Sequence, residues 1–354
     1  MYCNVKSIAL LGMEARPISV EADISEGMPV FDMVGYLGSE VKEARERVRT
    51  ALKNSGIFLP PKRITVNLSP ADIRKNGTTF DLAVSLSLMQ LLGEIPEGST
   101  GGWMIFGELG LSGAVRAVSG ILPMVIEAKR LGFSSCMVPW DNVMEGRAVE
   151  GVRIVGVQDL KEARDYFHGE ADFLNEKQVS QNPGREALSE REEDLCDVQG
   201  QETVKRALQI AAAGRHNILM IGPPGSGKTM LARRLAGILP EPDPSECIEI
   251  TKVHSIAGLT GGNTGLIKTR PFISPHHTVT PQALSGGGSI PRPGLCSLAH
   301  RGVLFLDELP EFSKQSLEIL RQPLEDRRIH IARTHGSYVF PADFLLCAAM
   351  NLRT

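Results

Sequence analysis

Nothing in the 354-residue sequence brings two cysteines close together. Cys3, Cys136, Cys196, Cys247, Cys296 and Cys347 lie tens of residues apart, with no CxxC pair and no Cys/His spacing suited to zinc. A disulfide framework and a zinc module are thereby excluded, and reduced thiols are expected. Also missing are an apolar run near the ~20 residues that cross a bilayer and an N-terminal leader pattern, so a cytoplasmic protein with no membrane role is expected. Excess charge of one sign is absent too: 38 Lys and Arg stand against 41 Asp and Glu, a formal net charge of -3. A chain basic throughout is ruled out, and any polyanion contact must come from local clusters. Internal repeats and low-complexity tracts are absent. With 42% hydrophobic and 22% charged residues, what remains is a globular chain long enough for two or more cores.

Residues 1–167 alternate short apolar runs with helical patterns. Strands are expected at 63–68, 103–109, 135–139 and 152–157. In "SEVKEARERVRTALKNSG", Val41, Ala44, Val48 and Leu52 recur at helical spacing before Gly56, which predicts an amphipathic helix. "FDLAVSLSLMQLLG" and "GILPMVIEAKRLG" predict two more, each closing at glycine. This half reads as an α/β domain. Residues 168–194 are polar, acidic and aperiodic, as in a linker or a solvated helix start. From 195 a second periodic unit begins, with Val204, Leu208 and Ala211 on one helical face.

The most informative stretch is "HNILMIGPPGSGKTMLARRLAG" (216–237). Ile218 to Ile221 reads as a buried strand, and Met230 onward as a helix. Between them Gly222, Pro223, Pro224, Gly225, Ser226, Gly227, Lys228 and Thr229 match GxxxxGK[ST]. Backbone N–H groups of such a loop curl round ATP phosphates, Lys228 reaches the β and γ phosphates, and the Thr229 hydroxyl goes to Mg²⁺. The second half of such a site is an apolar strand ending in acid, and "GVLFLDEL" (302–309) supplies it. Asp307 would hold the Mg²⁺ through water and Glu308 would polarise the attacking water; two acids capping the next helix is the other reading. A further strand is expected between the motifs at "CIEIT" (247–251). "FLLCAAMN" then fits another strand of the sheet, with Asn351 at its carboxyl end near the γ-phosphate.

Two basic elements share this half. Between Lys252 and Arg301 there is no Asp or Glu, while Lys252, Lys268, Arg270, Arg292, Arg301 and four histidines are present. Five prolines and the runs Gly261-Gly262 and Gly286-Gly287-Gly288 mark it as a long irregular insertion. It suits either a polyanion or an acidic neighbouring subunit. The second element, "LEDRRIHIARTHGSYVF" (324–340), predicts a β-hairpin turning at Thr334–Gly336. Its Arg327, Arg328, Arg333 and His335 could touch nucleic acid or simply be solvated.

Taken together, "DVQGQETVKRALQIAAAGRHNILMIGPPGSGKTMLARRLAGILP", "RPFISPHHTVTPQALSGGGSIPRPG" and "SLAHRGVLFLDELPEF" resemble the magnesium-chelatase-like AAA+ ATPases of the ComM/YifB group. "GMPVFDMVGYLGSEVKEARERVRTALKNSG" and "PKRITVNLSPADIRKNGTTFDLAVSL" resemble that group's N-terminal domain. The resemblance implies a Lon-protease-like (ribosomal S5 domain 2-like) α/β domain followed by an AAA+ P-loop domain with a parallel sheet. It also implies a bacterial cytoplasmic ATPase using ATP and Mg²⁺, assembled into a ring, with a hexamer expected, that drives branch migration on branched or single-stranded DNA during recombination in natural transformation. Asn351 would then be the first sensor residue.

Departures from the group qualify this. Leu122 stands where the Lon lysine is expected and Thr79 at or near the serine, so a peptidase dyad is not expected and the N-terminal domain reads as a binding or assembly module. Ile273 replaces a frequent Arg, and "GLCSLAH" replaces a form with an acid before the Ser. Relatives continue beyond "AAMN" into a further strand, an arginine finger and a lid, so the chain is expected to stop within the AAA+ domain. An ATPase remodelling a protein partner, and an inactive nucleotide-binding fragment, remain alternatives.

Overall fold

The computed structural model describes residues 1–169, 194–260, 265–333 and 336–351. The chain divides into two compact units, one of Met1–Gly184 with Gly258–Gly265, the other of Arg185–Ala257 with Leu266–Thr354. The acidic stretch expected as a linker lies almost wholly outside the described residues.

The first unit is built on a seven-stranded mixed sheet. Its strands are β1 (Tyr2–Leu11), β2 (Glu14–Ser25), β3 (Val30–Val34), β4 (Arg63–Ser69), β5 (Trp103–Ile105), β8 (Ser135–Pro139) and β9 (Arg153–Val157), in the order β3-β4-β2-β1-β5-β8-β9. The long β1–β2 pair turns through Gly12, whose φ of +64° suits glycine. Helix α1 (Ser39–Asn54) buries Val41, Ala44, Val48, Ala51 and Leu52, the stripe expected from its spacing. Helix α2 (Asp81–Leu91) has no polar face: every residue from Asp81 to Met89 is buried, so the sheet and its neighbours enclose it on all sides. The run expected as one strand at 103–109 divides instead. Glu108–Leu109, β6, leaves the sheet to pair with β7 (Val115–Arg116). The break falls at Gly107, where a Cβ would come within 3.2 Å of Leu82 and 3.0 Å of Val115.

The second unit centres on four parallel strands in the order β10-β17-β14-β11, namely β10 (Ile218–Gly222), β17 (Leu345–Asn351), β14 (Val303–Leu306) and β11 (Phe272–Ile273). Every residue of β14 is buried, as a central parallel strand requires. Leu208, Leu231, Leu235, Phe305, Cys347 and Ala349 form the core around it.

The β10 strand, expected to be an apolar buried strand left with an open edge where relatives carry a further strand, is the outer strand, with Leu219 48% and Ile221 54% exposed. One expectation fails here. "CIEIT" was expected to be a strand but lies inside a helix, Pro244–Ala257. The Asp243 carboxylate accepts the N–H groups of Ser245 and Glu246 at its start, Pro244 opens the first turn, and Cys247, Ile250 and Val253 are buried at a spacing of three. The strand that the parallel sheet takes from between the two motifs is β11, only two residues long.

Five cysteines are buried and Cys196 is exposed. Burial pushes the Cys136, Cys296 and Cys347 thiols up to about 12.

Candidate functional site

The parallel sheet delivers four chain segments to one edge. The loop after β10 leads into a ten-residue helix, the loop helix (Lys228–Gly237). Gly225 and Gly227 adopt φ of +75° and +82°, values open to glycine at little cost, so the loop can curl and leave its N–H groups at a helix N-terminus.

Lys228 is held from four sides. Its Nζ donates to Gly222 O (3.1 Å), Pro223 O (2.8 Å), Ser226 Oγ (3.3 Å) and Asn351 Oδ1 (3.0 Å). Asn351 reaches it because the β10–β17 register sets Gly222 opposite Asn351. The next residue, Thr229, donates its hydroxyl to Asp307 Oδ2 at 2.6 Å, which joins the two motifs across the sheet. Asp307 Oδ1 also accepts the Glu308 N–H at 2.9 Å.

Backbone strain reaches this edge at two residues. Among the described residues five that are not glycine have positive φ, and two of them, Gln201 (+57°) and Glu308 (+52°), belong to this site. Gln201 Nε2 donates to Ser226 O at 3.0 Å and braces the loop. The other three, Arg215, Arg301 and Arg327, converge on one carboxylate, with guanidinium nitrogens 3.2, 3.0 and 3.8 Å from Asp343.

The donor set fits a nucleotide with Mg²⁺. A hydroxyl and a carboxylate at hydrogen-bond distance offer hard oxygen ligands, and Mg²⁺ commonly takes one or two such protein ligands with water and phosphate oxygens completing six. Among the described residues no group of three or more His, Cys, Asp or Glu could hold a metal by itself. Glu308, half exposed beside Asp307, can accept a proton from water.

The candidate nucleic-acid residues are dispersed. Lys268, Arg292, Arg328 and Arg333 are exposed. Arg333, on the hairpin of Arg328–Arg333 and Gly336–Pro341, donates to Gly288 O at 3.4 Å, so the second basic element touches the glycine-rich part of the first. Arg327 is exposed and faces Asp343. Arg270 is different: its guanidinium is taken by Glu246 (2.7 Å), Pro240 O (2.6 Å) and Arg301 O (2.8 Å), which makes it a brace between segments. The hairpin turn at Thr334 and His335 lies outside the described residues. In the first unit, Leu122 is fully buried and apolar.

The sequence reading missed two side chains at the site, Gln201 and His277. Gln201 sits in the quoted "VQGQE", whose function depends on a contact 25 positions away. His277 Nδ1 lies 3.6 Å from Glu308 Oε2, a proximity set by strand pairing.

Comparison with known proteins places this geometry in a family. The family model described as magnesium chelatase, subunit ChlI, matches residues 194–354, and a second, subunit ChlI of Mg-chelatase, matches 20–142. The uncharacterised protein YifB of Escherichia coli is 42% identical over 349 residues, covering 98% of this chain and 67% of that protein. The competence protein ComM of Haemophilus influenzae is 41% identical over 347 residues, covering 98% and 68%. The magnesium-chelatase 67 kDa subunit of Chlorobaculum tepidum is 27% identical over 156 residues, 43% of this chain and 22% of that subunit. The paired motifs, their geometry and these matches agree: the chain belongs to the magnesium-chelatase family, as a ComM/YifB-like member.

Proposed function

We propose that the chain is the nucleotide-handling part of an ATP-hydrolysing motor that acts on branched or single-stranded DNA as a ring of copies, expected to be a hexamer, in the cytoplasm. The observation that carries the ATPase reading is the meeting of Lys228 with Asn351 and of Thr229 with Asp307 at the end of one parallel sheet. In hydrolysis a water oxygen bonds to the γ-phosphorus, the bond to the β–γ bridging oxygen breaks, and ADP leaves. Glu308 takes the water's proton, Lys228 lies against the transferred charge and Asn351 orients the water. Mg²⁺, when bound through Thr229 and Asp307, neutralises phosphate charge.

The DNA reading is supported by the joined basic elements, where Arg292 and Arg333 are exposed, and by similarity to ComM. The first unit is proposed to have the Lon-like fold implied by the resemblance and to serve binding or assembly, since buried Leu122 offers no amine to Thr79. Among the described residues no helix is long and apolar enough to cross a membrane. A second reading, an ATPase remodelling a protein partner, is favoured by the match to a magnesium-chelatase subunit.

The test is steady-state ATP hydrolysis with and without branched DNA over a range of salt. Turnover that rises with DNA, with a rise that weakens as salt increases, supports the motor reading. Turnover indifferent to DNA and raised by a protein partner supports the second. Nucleotide binding without any turnover sinks the ATPase reading for this chain.

A further inference from the structure

We infer that the second unit carries a second anion site, a recess built on Arg215, Arg327 and Asp343 that takes a small phosphomonoester; the inference stands apart from the ATPase and DNA readings above. A cavity of about 360 Å³, lined among others by Arg215, Asn217, Leu324, Arg327, Asp343 and Phe344, falls at the low end of the range for small-molecule sites. It lies at the starts of two strands whose far ends form the candidate nucleotide site. Asn217 precedes β10 and Phe344 precedes β17, whereas Gly222 and Asn351 end them. At roughly 3.3 Å per residue the two sites are about 15 to 25 Å apart, so one phosphate group cannot serve both.

The backbone is strained where the recess forms. Helix Glu202–Gly214 ends at Arg215 (φ +51°) and helix Arg321–Asp326 at Arg327 (φ +57°). Glycine usually fills this left-handed position after a helix, because a side chain there carries a conformational cost. Both arginines turn to the same carboxylate: Arg215 Nη2 lies 3.2 Å and Arg327 Nε 3.8 Å from Asp343 Oδ1. Charge does not balance there. Arg301 also reaches Asp343, at 3.0 Å, yet has Glu246 and Glu249 besides, while among the described residues Arg215 and Arg327 are ion-paired with Asp343 alone. One carboxylate thus faces two guanidinium groups, and a unit of positive charge is left for a ligand. Asp343 orients the pair without using up its donors: Arg327, 72% exposed, is approached at Nε and keeps both Nη groups. Such a planar fork matches the oxygens of a phosphate. Asn217 Oδ1 accepts the Leu346 N–H at 2.9 Å, which leaves the amide NH₂ as a neutral donor at the same wall. Leu324 and Phe344 add apolar surface for the organic part of the ester. A recess of this size admits a terminal phosphate with a small organic group and not a continuous polyanion.

The test titrates the full chain with inorganic phosphate and with glycerol 3-phosphate at constant ionic strength. It is run with ADP and Mg²⁺ in excess and again in Lys228→Ala, so that the phosphate loop does not contribute. The Nε–H ¹H–¹⁵N resonances of Arg215 and Arg327 are expected to shift and saturate with either probe and to stay in place with chloride. Those of Arg270, whose Nε already donates to Pro240 O, are expected not to move. Glycine suits both backbone positions, so Arg215→Gly/Arg327→Gly is expected to keep its melting curve in chloride while its affinity for both probes falls about 10- to 100-fold. Arg327→Lys, which keeps the charge and loses the fork, is expected to fall between the two, and together with the wild-type resonances it decides the matter if the double variant does not fold. Resonances that stay still, resonances that chloride moves equally, or equal phosphate affinity in wild type and double variant overturn the inference. So does a double variant that loses binding of a single-stranded oligonucleotide when neither small probe binds the wild type, which would place these arginines on nucleic acid.

Discussion

Asn351 stands directly opposite Gly222 across the β10–β17 pair, and its Oδ1 accepts a hydrogen bond from Lys228 Nζ at 3.0 Å. One end of the sheet thus fixes the distance between the two side chains proposed to meet the phosphate and to orient water.

Asn351→Ala removes that acceptor and any hold on the water, yet leaves Lys228 three other acceptors. Turnover is expected to fall about 10²-fold with nucleotide affinity little changed, because the lost interaction matters mainly in the transition state. Parallel measurement of kcat and nucleotide Kd checks this; a loss confined to affinity contradicts the assigned role.

Lys228→Ala and Glu308→Gln should separate binding from chemistry. The first deletes the ammonium proposed to meet the phosphates, and weaker binding of a fluorescent ATP analogue is expected. The second keeps the shape of the side chain and removes its basicity, so binding is retained and turnover is lost. Equal loss of binding in both variants would place Glu308 in a structural role.

Asp343→Asn tests the convergence of Arg215, Arg301 and Arg327. The Asp343 side chain is 14% exposed, and removing its charge takes from Arg215 and Arg327 the carboxylate they share, while Arg301 keeps Glu249 at 2.9 Å. A loss of about 1 kcal/mol is expected, lowering the melting temperature of the second unit by a few degrees. An unchanged melting curve would show that solvent already satisfies these arginines.

Asp81 predicts a pH dependence in the first unit. Burial pushes its carboxyl up to about 6, and Arg47, at 2.8 Å, pulls it back without offsetting the desolvation. An unfolded Asp titrates near ~3.9. As pH rises from about 4 to about 6 the unfolded chain therefore loses its proton first, and stability falls, by at most about 3 kcal/mol for a two-unit shift. Below that window the contribution is fully present. Denaturant unfolding of the wild type and Asp81→Asn should show the wild type losing ground to the variant between pH 4 and 6. A constant difference would mean that Asp81 stays ionised.

Legibility in the sequence followed the range of the interactions. The loop from Gly222 to Thr229 was readable because its chemistry depends on neighbours in the chain, and α1 because Val41, Ala44, Val48 and Leu52 carry the period themselves. "CIEIT" misled because β-branched residues in a short apolar run suit a strand, whereas the deciding cap at Asp243 lies ahead of the run. The exposure of β10 depends on what stands beside it, which its own residues do not encode. The place of His277 was out of reach for a related reason: it follows from a two-residue pairing between strands 31 positions apart.

The cysteine distribution gives the molecule a built-in handle. Alkylating reagents and oxidants meet one accessible sulfur, Cys196, since the other five are enclosed. Partial desolvation, and after it the acidic neighbours Asp194 and Asp197, raise its thiol pKa, so it reacts sluggishly near neutrality. Asp197 in turn lies 3.8 Å from Arg234 on the helix that follows the phosphate loop. A dye attached to the unmodified sequence would therefore sit one ion pair away from the nucleotide-binding helix, and could report its movements with no engineered residue.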